Sequence, residues 1–207
     1  MDAVFPIRCI GCGAYDIYFC SACLAEVKVK NDSELVGGVH VFSAANYSDK
    51  LVQKALKVFK YGFVRDMAGP LAEVVRTHID NIPIVVNSGL LRGNPLVVPV
   101  PLHKKRLNWR GFNQSEVLAK KIAELYGLEV RNILIRNKNR KPQADIKDRE
   151  RRLNNIEGSF VCPASINGRR IVLVDDICTT GGTLNECARA LAANGAGKIS
   201  ALVVARG

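Results

Sequence analysis

Two sets of residues in this chain have the types and spacing to do chemistry. The first is Ile171-Val172-Leu173-Val174-Asp175-Asp176-Ile177-Cys178-Thr179-Thr180-Gly181-Gly182-Thr183, in which an apolar run delivers two acids and then a loop of hydroxyls and glycines. Thr179, Thr180 and Thr183, with the amides of Gly181 and Gly182, can donate to a phosphate, while Asp175 and Asp176 can accept from sugar hydroxyls. The same acids would repel a polyphosphate laid beside them, and no lysine follows the glycines as a nucleoside-triphosphate loop requires, so a sugar phosphate fits better. The second set is Cys9-x-x-Cys12 with Cys20-x-x-Cys23. Two such pairs suit a four-thiolate zinc ribbon better than a disulfide framework, and four thiolates would fill a tetrahedral shell, which makes the metal structural. Four reduced thiols or two local disulfides are the competing readings. Cys178 lies inside the hydroxyl loop, but with no histidine near it in sequence a packing role is expected rather than nucleophilic attack.

These residues need a scaffold, and the apolar pattern supplies one. Ile171–Val174 is too short for a helix and rich in β-branched types, as expected of a parallel strand covered on both faces. Leu184, Cys187, Ala188 and Leu191 follow at helical spacing, so a helix begins near Gly182 and turns its unpaired amides and positive dipole end toward the loop. Upstream, Ser48 is placed to cap a helix carrying Leu51, Ala55, Leu56 and Phe59, with Lys57, Lys60 and Arg65 beside the buried faces. A second helix is expected from about Arg65, with Met67, Leu71, Val74 and Val75 inward. Leu96–Val100 reads as a buried strand, and Gln114–Tyr126 as a helix burying Val117, Leu118, Ile122 and Leu125 and stopped by Gly127. Further strands are expected near 132–135, 160–162 and 199–204, giving a mostly parallel α/β sheet. The polar stretch Lys28–Glu34 reads as the join between the cysteine module and the rest.

With 207 residues, 48% of them hydrophobic, the chain can bury one good core and a small appendage. Its longest apolar runs, such as Leu96–Val100 and Ala201–Ala205, fall far short of the roughly 20 residues of a membrane helix, and residues 1–9 lack a signal-peptide core. A cytoplasmic protein without membrane insertion is the expectation. The formal net charge of +11 favours polyanionic partners, either phosphorylated small molecules or nucleic acid, without choosing between them. A second anion site is expected at Leu102-His103-Lys104-Lys105-Arg106, a basic loop following a buried strand, because loops at the carboxyl ends of neighbouring strands converge on one cleft. Trp109 and Phe112 fit a core, a cleft wall or a stacking platform for a base equally well.

Residues 171–183 resemble the phosphoribosyl-pyrophosphate (PRPP) motif of type I phosphoribosyltransferases throughout. The run from Val98 to Ala119, VPVPLHKKRLNWRGFNQSEVLA, resembles the diagnostic stretch of the ComF family of competence-associated phosphoribosyltransferase-like proteins. The paired CxxC motifs, LKVFKYG at Leu56–Gly62, Pro142-Gln143 followed by Arg152 and Asn155, and Gly158-Ser159-Phe160 agree with it. The resemblance implies a type I phosphoribosyltransferase-like α/β fold, a mostly parallel sheet flanked by helices over residues 36–207, with a zinc ribbon over residues 1–35. It implies Asp175 and Asp176 as catalytic acids on the ribose, Thr179–Thr183 as the 5′-phosphate loop and Leu102, His103, Lys104 and Lys105 as the pyrophosphate loop. The basic segment Arg136–Asn155 would be the hood over PRPP, with Arg106, Arg110, Arg136, Gln143 and Arg152 as contacts to an acceptor or to nucleic acid. Mg²⁺ would accompany PRPP, and the reaction would displace pyrophosphate by a nitrogenous acceptor. Purine-salvage members carry an acid at the position of Thr179, so a hypoxanthine- or guanine-type acceptor is disfavoured here. The family's biological role implies DNA uptake in natural competence, with single-stranded DNA and a competence helicase or other uptake proteins as partners. The alternatives are a non-catalytic, PRPP-responsive protein that binds single-stranded DNA, and an adaptor on a retired transferase fold.

Overall fold

The structure, a computed structural model, describes residues 6–30, 33–136 and 158–207. After the short helix α1 (Ser21–Ala25), the strands β1 (Ser33–Val36) and β2 (Val39–Asn46) form a hairpin. Its two-residue turn is Gly37-Gly38, with φ of 57° and 93°. Positive φ at both central residues gives the turn whose twist matches a hairpin, and glycine reaches it without strain. Helix α2 (Lys50–Tyr61) follows, then a 3₁₀ turn at Arg65–Met67, α3 (Ala68–Asn81), α4 (Pro83–Ser88), β3 (Leu96–Pro99), α5 (Lys104–Arg110) and α6 (Gln114–Tyr126). The chain closes with β4 (Ile135–Arg136), β5 (Phe160–Val161), β6 (Ile171–Cys178), α7 (Gly182–Ala192) and β7 (Ile199–Arg206).

The main sheet has the order β1-β2-β7-β6-β3, parallel everywhere except the β1–β2 hairpin. β6 and β7 lie in its interior and are apolar on both faces, the pattern expected of a covered parallel sheet. Val172, Val174, Leu202 and Val204 pack with Leu56, Phe59, Leu71, Val75, Leu118 and Ile122 from α2, α3 and α6. The alternate residues Ile171, Leu173, Ala201 and Val203 pack with Leu184, Cys187 and Leu191 of α7. Truncating one of these, Leu118→Ala for example, should cost about 2–5 kcal/mol. Among the described residues no helix is long and apolar enough to cross a membrane.

Several local expectations need correction. Asp49, not Ser48, caps α2: its carboxylate accepts from the amides of Leu51 and Val52 at 2.9 and 3.1 Å. Leu125, expected inside, is 43% exposed, because it sits in the last turn of α6 beyond the buried stripe of Leu118 and Ile122. The strands near 135 and 160 do not join the parallel sheet. They pair antiparallel with each other as a separate two-stranded ribbon. Within Lys28–Glu34, the Lys30 amide donates to Ala44, and Ser33 already belongs to β1.

Candidate functional site

The acids are held inside a strand rather than just beyond its end. β6 runs on to Cys178, with Asp175 opposite Val203 and Ile177 opposite Ala205 of β7, so the parallel ladder fixes the backbone beneath both carboxylates. The chain then turns through Thr179 and Thr180 and enters α7 at Gly182. Gly181 makes this turn with φ 79°, and a Cβ there would lie 2.2 Å from Val36 Cγ1. Glycine is therefore required twice over, by conformation and by the close approach of the β1–β2 hairpin. Residues from Ile177 to Leu184 line a hollow of about 50 Å³. Hydroxyls and the first amides of an eleven-residue helix converge there, an arrangement suited to an anion.

Ser115, at the start of α6, donates from Oγ to Asp175 Oδ1 at 2.7 Å, and the Asp176 amide donates to the same oxygen at 2.9 Å. Asn113 places that serine by capping α6 through Ser115 N and donating to the Val100 carbonyl after β3. Asp176, buried, forms an ion pair with Lys60 of α2, Nζ to Oδ1 at 2.9 Å. Burial and the adjacent Asp176 charge push the Asp175 carboxyl up to about 7, against the pull of its two donors and of Lys60.

These acids form one wall of a cavity of about 400 Å³ that also reaches Thr179 and Thr183. The facing walls are Lys60 and Tyr61 of α2, Leu102 and Arg106, Arg110 and Gln114, and Arg136. Of the basic residues expected after β3, Lys104 and Lys105 form the exposed first turn of α5 and do not line the cavity. His103 caps that helix, its Nδ1 accepting from the Lys105 amide at 3.2 Å. Arg106, the next residue of α5, and Arg110, about one turn beyond it, do line it. Arg136 also lines it, 5.2 Å over the Phe160 ring, where burial lowers its pKa. Gln143 and Arg152, with the rest of the expected hood from 137 to 155, lie outside the described residues.

The two aromatic residues left open by the sequence separate. Phe112 is core, 5.8 Å from Phe59. Trp109 is 58% exposed and clusters with exposed Tyr61 and Phe63, at ring distances of 6.2 and 5.2 Å. Cys178 is buried and accepts from Arg206 at 3.1 Å, in line with packing.

At the amino end, the sulfurs of Cys9, Cys12, Cys20 and Cys23 all lie within 4.8 Å of one another, and none is in a disulfide. Cys9 and Cys12 are each close to Cys20, at 3.6 and 3.7 Å. Four thiolates about 2.3 Å from a tetrahedral ion would stand about 3.8 Å apart, so the cluster fits a metal such as zinc. Tight turns bring them together: Gly13 N–H donates to the Cys9 carbonyl, and Cys9 N–H to that of Ala14. The cluster rests on α2, since Lys54 donates to the Ile10 carbonyl and a Cβ on Gly11 would meet Cys23 and Leu51.

Sequence reasoning missed Lys60, Tyr61 and Ser115 as cleft residues. Lys60 and Tyr61 sit in the LKVFKYG segment, whose placement among matching motifs was their one available signal.

Comparison with known proteins agrees with this geometry. Residues 113–207 match the phosphoribosyl transferase domain family. The chain is 34% identical over 114 residues to Competence protein F of Haemophilus influenzae, covering 53% of this chain and 49% of that one. It is 39% identical over 113 residues to Competence protein ComFC of Bacillus subtilis, covering 54% and 44%. It is 32% identical over 111 residues to the DNA utilization protein YhgH of Escherichia coli O157:H7, covering 53% and 48%. The chain thus spans about half the length of the curated relatives it matches. The acid pair and its loop thus lie in a segment that matches the phosphoribosyl transferase domain family, in a chain similar over about half its length to competence and DNA utilization proteins.

Proposed function

We propose that this chain binds PRPP in the cleft between β6–α7 and α2, α5 and α6, transfers its phosphoribosyl group to a nitrogenous acceptor with release of pyrophosphate, and serves DNA uptake. The observation that carries the reading is the placement of Asp175 and Asp176 on one wall of a cavity that continues into the hydroxyl and amide loop Thr179–Thr183. That is the layout of a sugar phosphate with its anion in the loop and its hydroxyls on the acids. Here Thr179, Thr180, Thr183 and the amides of Gly181 and Gly182 take the 5′-phosphate. Asp176 exchanges Lys60 for a ribose hydroxyl, and Asp175, oriented by Ser115, accepts from the other. The turn Leu102–Lys105 flanks the leaving diphosphate, and positive charge at the cavity wall offsets the negative charge that grows on it. The paired carboxylates are hard oxygen donors compatible with Mg²⁺, which, when bound with PRPP, would neutralise diphosphate charge. Zinc in the four-cysteine cluster is the structural metal of this reading, and residues 1–35 and 36–207 are its two units, with β1 crossing that boundary.

The names of the relatives, which refer to competence and DNA utilization, support the placement in DNA uptake. The exposed ring cluster of Tyr61, Phe63 and Trp109, on a chain of net charge +11, favours a second reading: a PRPP-responsive factor that stacks single-stranded DNA on these rings without turnover. Calorimetry with PRPP, with and without Mg²⁺, tests what the two readings share. Both expect binding that Asp175→Asn/Asp176→Asn removes, and a well-folded chain that ignores PRPP would sink both. Pyrophosphate release on adding candidate acceptors separates them, because only the transferase reading expects it.

A further inference from the structure

The cavity wall also holds a buried cation that forms no ion pair among the described residues. It is Arg110, only 8% exposed. Its charge-assisted hydrogen bond goes to a neutral group, Gln114 Oε1, at 2.6 Å, and its Nε has no partner. Gln114, 2% exposed, leaves its own Nε2 unpartnered as well. Burying a guanidinium without a carboxylate is costly, and two unmatched buried donors side by side in a native fold call for an explanation. Both residues line the cavity.

The neighbours narrow the explanation. Lys60 is already committed to Asp176, whereas Arg106 and Arg136 line the same cavity with Arg110. The cavity therefore has an acid-and-hydroxyl wall on one side and a guanidinium wall on the other. A ligand filling it needs hydroxyls between two anionic ends, one for the Thr179–Thr183 hollow and one for the arginines. Lys104 and Lys105 stand on the exposed turn of α5 and leave the inner part of that second anion site unfilled.

We infer that Arg110, held in place by Gln114, is the inner anchor for the diphosphate end of the sugar-phosphate donor. The inference rests on the PRPP reading above and goes beyond it by assigning this end of the ligand to a buried arginine. The guanidinium fork matches diphosphate oxygens, and Gln114 fixes the fork without neutralising it.

The test is calorimetry on the full chain with Mg²⁺ and three probes: PRPP, inorganic pyrophosphate and ribose 5-phosphate. Arg110→Gln should weaken PRPP and pyrophosphate by roughly ten- to a hundredfold, the scale of a lost charge-assisted pair, while ribose 5-phosphate changes less than about twofold. Arg110→Lys should recover part of the loss. Gln114→Glu, which gives Arg110 an internal carboxylate, should weaken pyrophosphate although the arginine remains; circular dichroism checks that each variant is folded. Unchanged pyrophosphate affinity in folded Arg110→Gln or Gln114→Glu overturns the inference, as does an equal loss for ribose 5-phosphate. A wild-type chain that binds none of the three probes overturns the PRPP reading and this inference together. One that binds ribose 5-phosphate and PRPP with Arg110 dispensable overturns the inference alone.

Discussion

The four cysteines come from positions 9–23 and converge through their own turns, whereas the cleft draws on residues from Lys60 in α2 to Thr183 in α7. Its ion pair alone, Lys60 to Asp176, joins the first half of the chain to the last quarter. A local constellation of this kind is a folding element: its ligands share one small module, and Phe19, Cys23 and Val27 enter the main core beside α2. A constellation assembled over long range is a product of folding, and its polar members can be exchanged with less cost to the scaffold. The difference predicts which changes damage stability and which damage binding.

If the four cysteines hold the proposed zinc, its removal should have the largest effect. Chelation, or Cys9→Ser with Cys23→Ser, is expected to lower the melting temperature by about 10 °C or more and to expose residues 6–27 to hydrogen exchange, since a structural metal site contributes folding free energy directly. A shift of only a degree or two would remove the cluster from the folding account. Next comes Asp176→Asn, expected to reduce PRPP affinity by about a hundredfold, about 2.7 kcal/mol, while calorimetric melting moves by a few degrees at most. If its stability falls as far as that of the cysteine variants, the contrast between the two regions fails. Gly181→Ala should cost about tenfold or more in PRPP affinity, because the new Cβ requires Val36 to move and strains the left-handed turn.

Asp175 gives a pH signature. Its pKa rises from 3.8 to about 7 on folding, so the native state holds this proton more tightly, and the resulting stability is complete below about pH 4 and lost as pH climbs through 7. Asp175→Asn should therefore gain in melting temperature relative to wild type as pH increases from 4 to 8. A constant difference across that range would mean the carboxyl titrates normally. The smallest effect belongs to Lys104→Ala/Lys105→Ala, expected to change PRPP affinity less than about threefold because both side chains stand outside the cavity.

What the sequence made legible follows the same division. The strand, acids, hydroxyl loop and helix of 171–192 are contiguous, so hydrophobic period and residue type located them, except that β-ladder pairing with β7 carries the strand on through the acids to Cys178. The helix at Gln114–Tyr126 was legible from its period and from Gly127, which closes it at φ 63°. The β1–β2 hairpin was overlooked although Val36-Gly37-Gly38-Val39 carries the turn signal. Asp49 and Ser48 are both capping types one position apart, and only the geometry of the first turn decides between them. Lys60 and Ser115 carried no signal beyond the matching motifs in which they sit. Each reads locally as a helix residue, and its pairing with an acid far along the chain is set by how α2 and α6 pack on the sheet.

The most direct test of the account is a crystal structure of the chain with PRPP and Mg²⁺. The account predicts the 5′-phosphate in the hollow of Thr179–Thr183, ribose hydroxyls on Asp175 and Asp176 with Lys60 displaced, and the diphosphate toward Arg110. PRPP bound elsewhere, or an acid pair still closed by Lys60 in crystals grown at saturating PRPP, would contradict it.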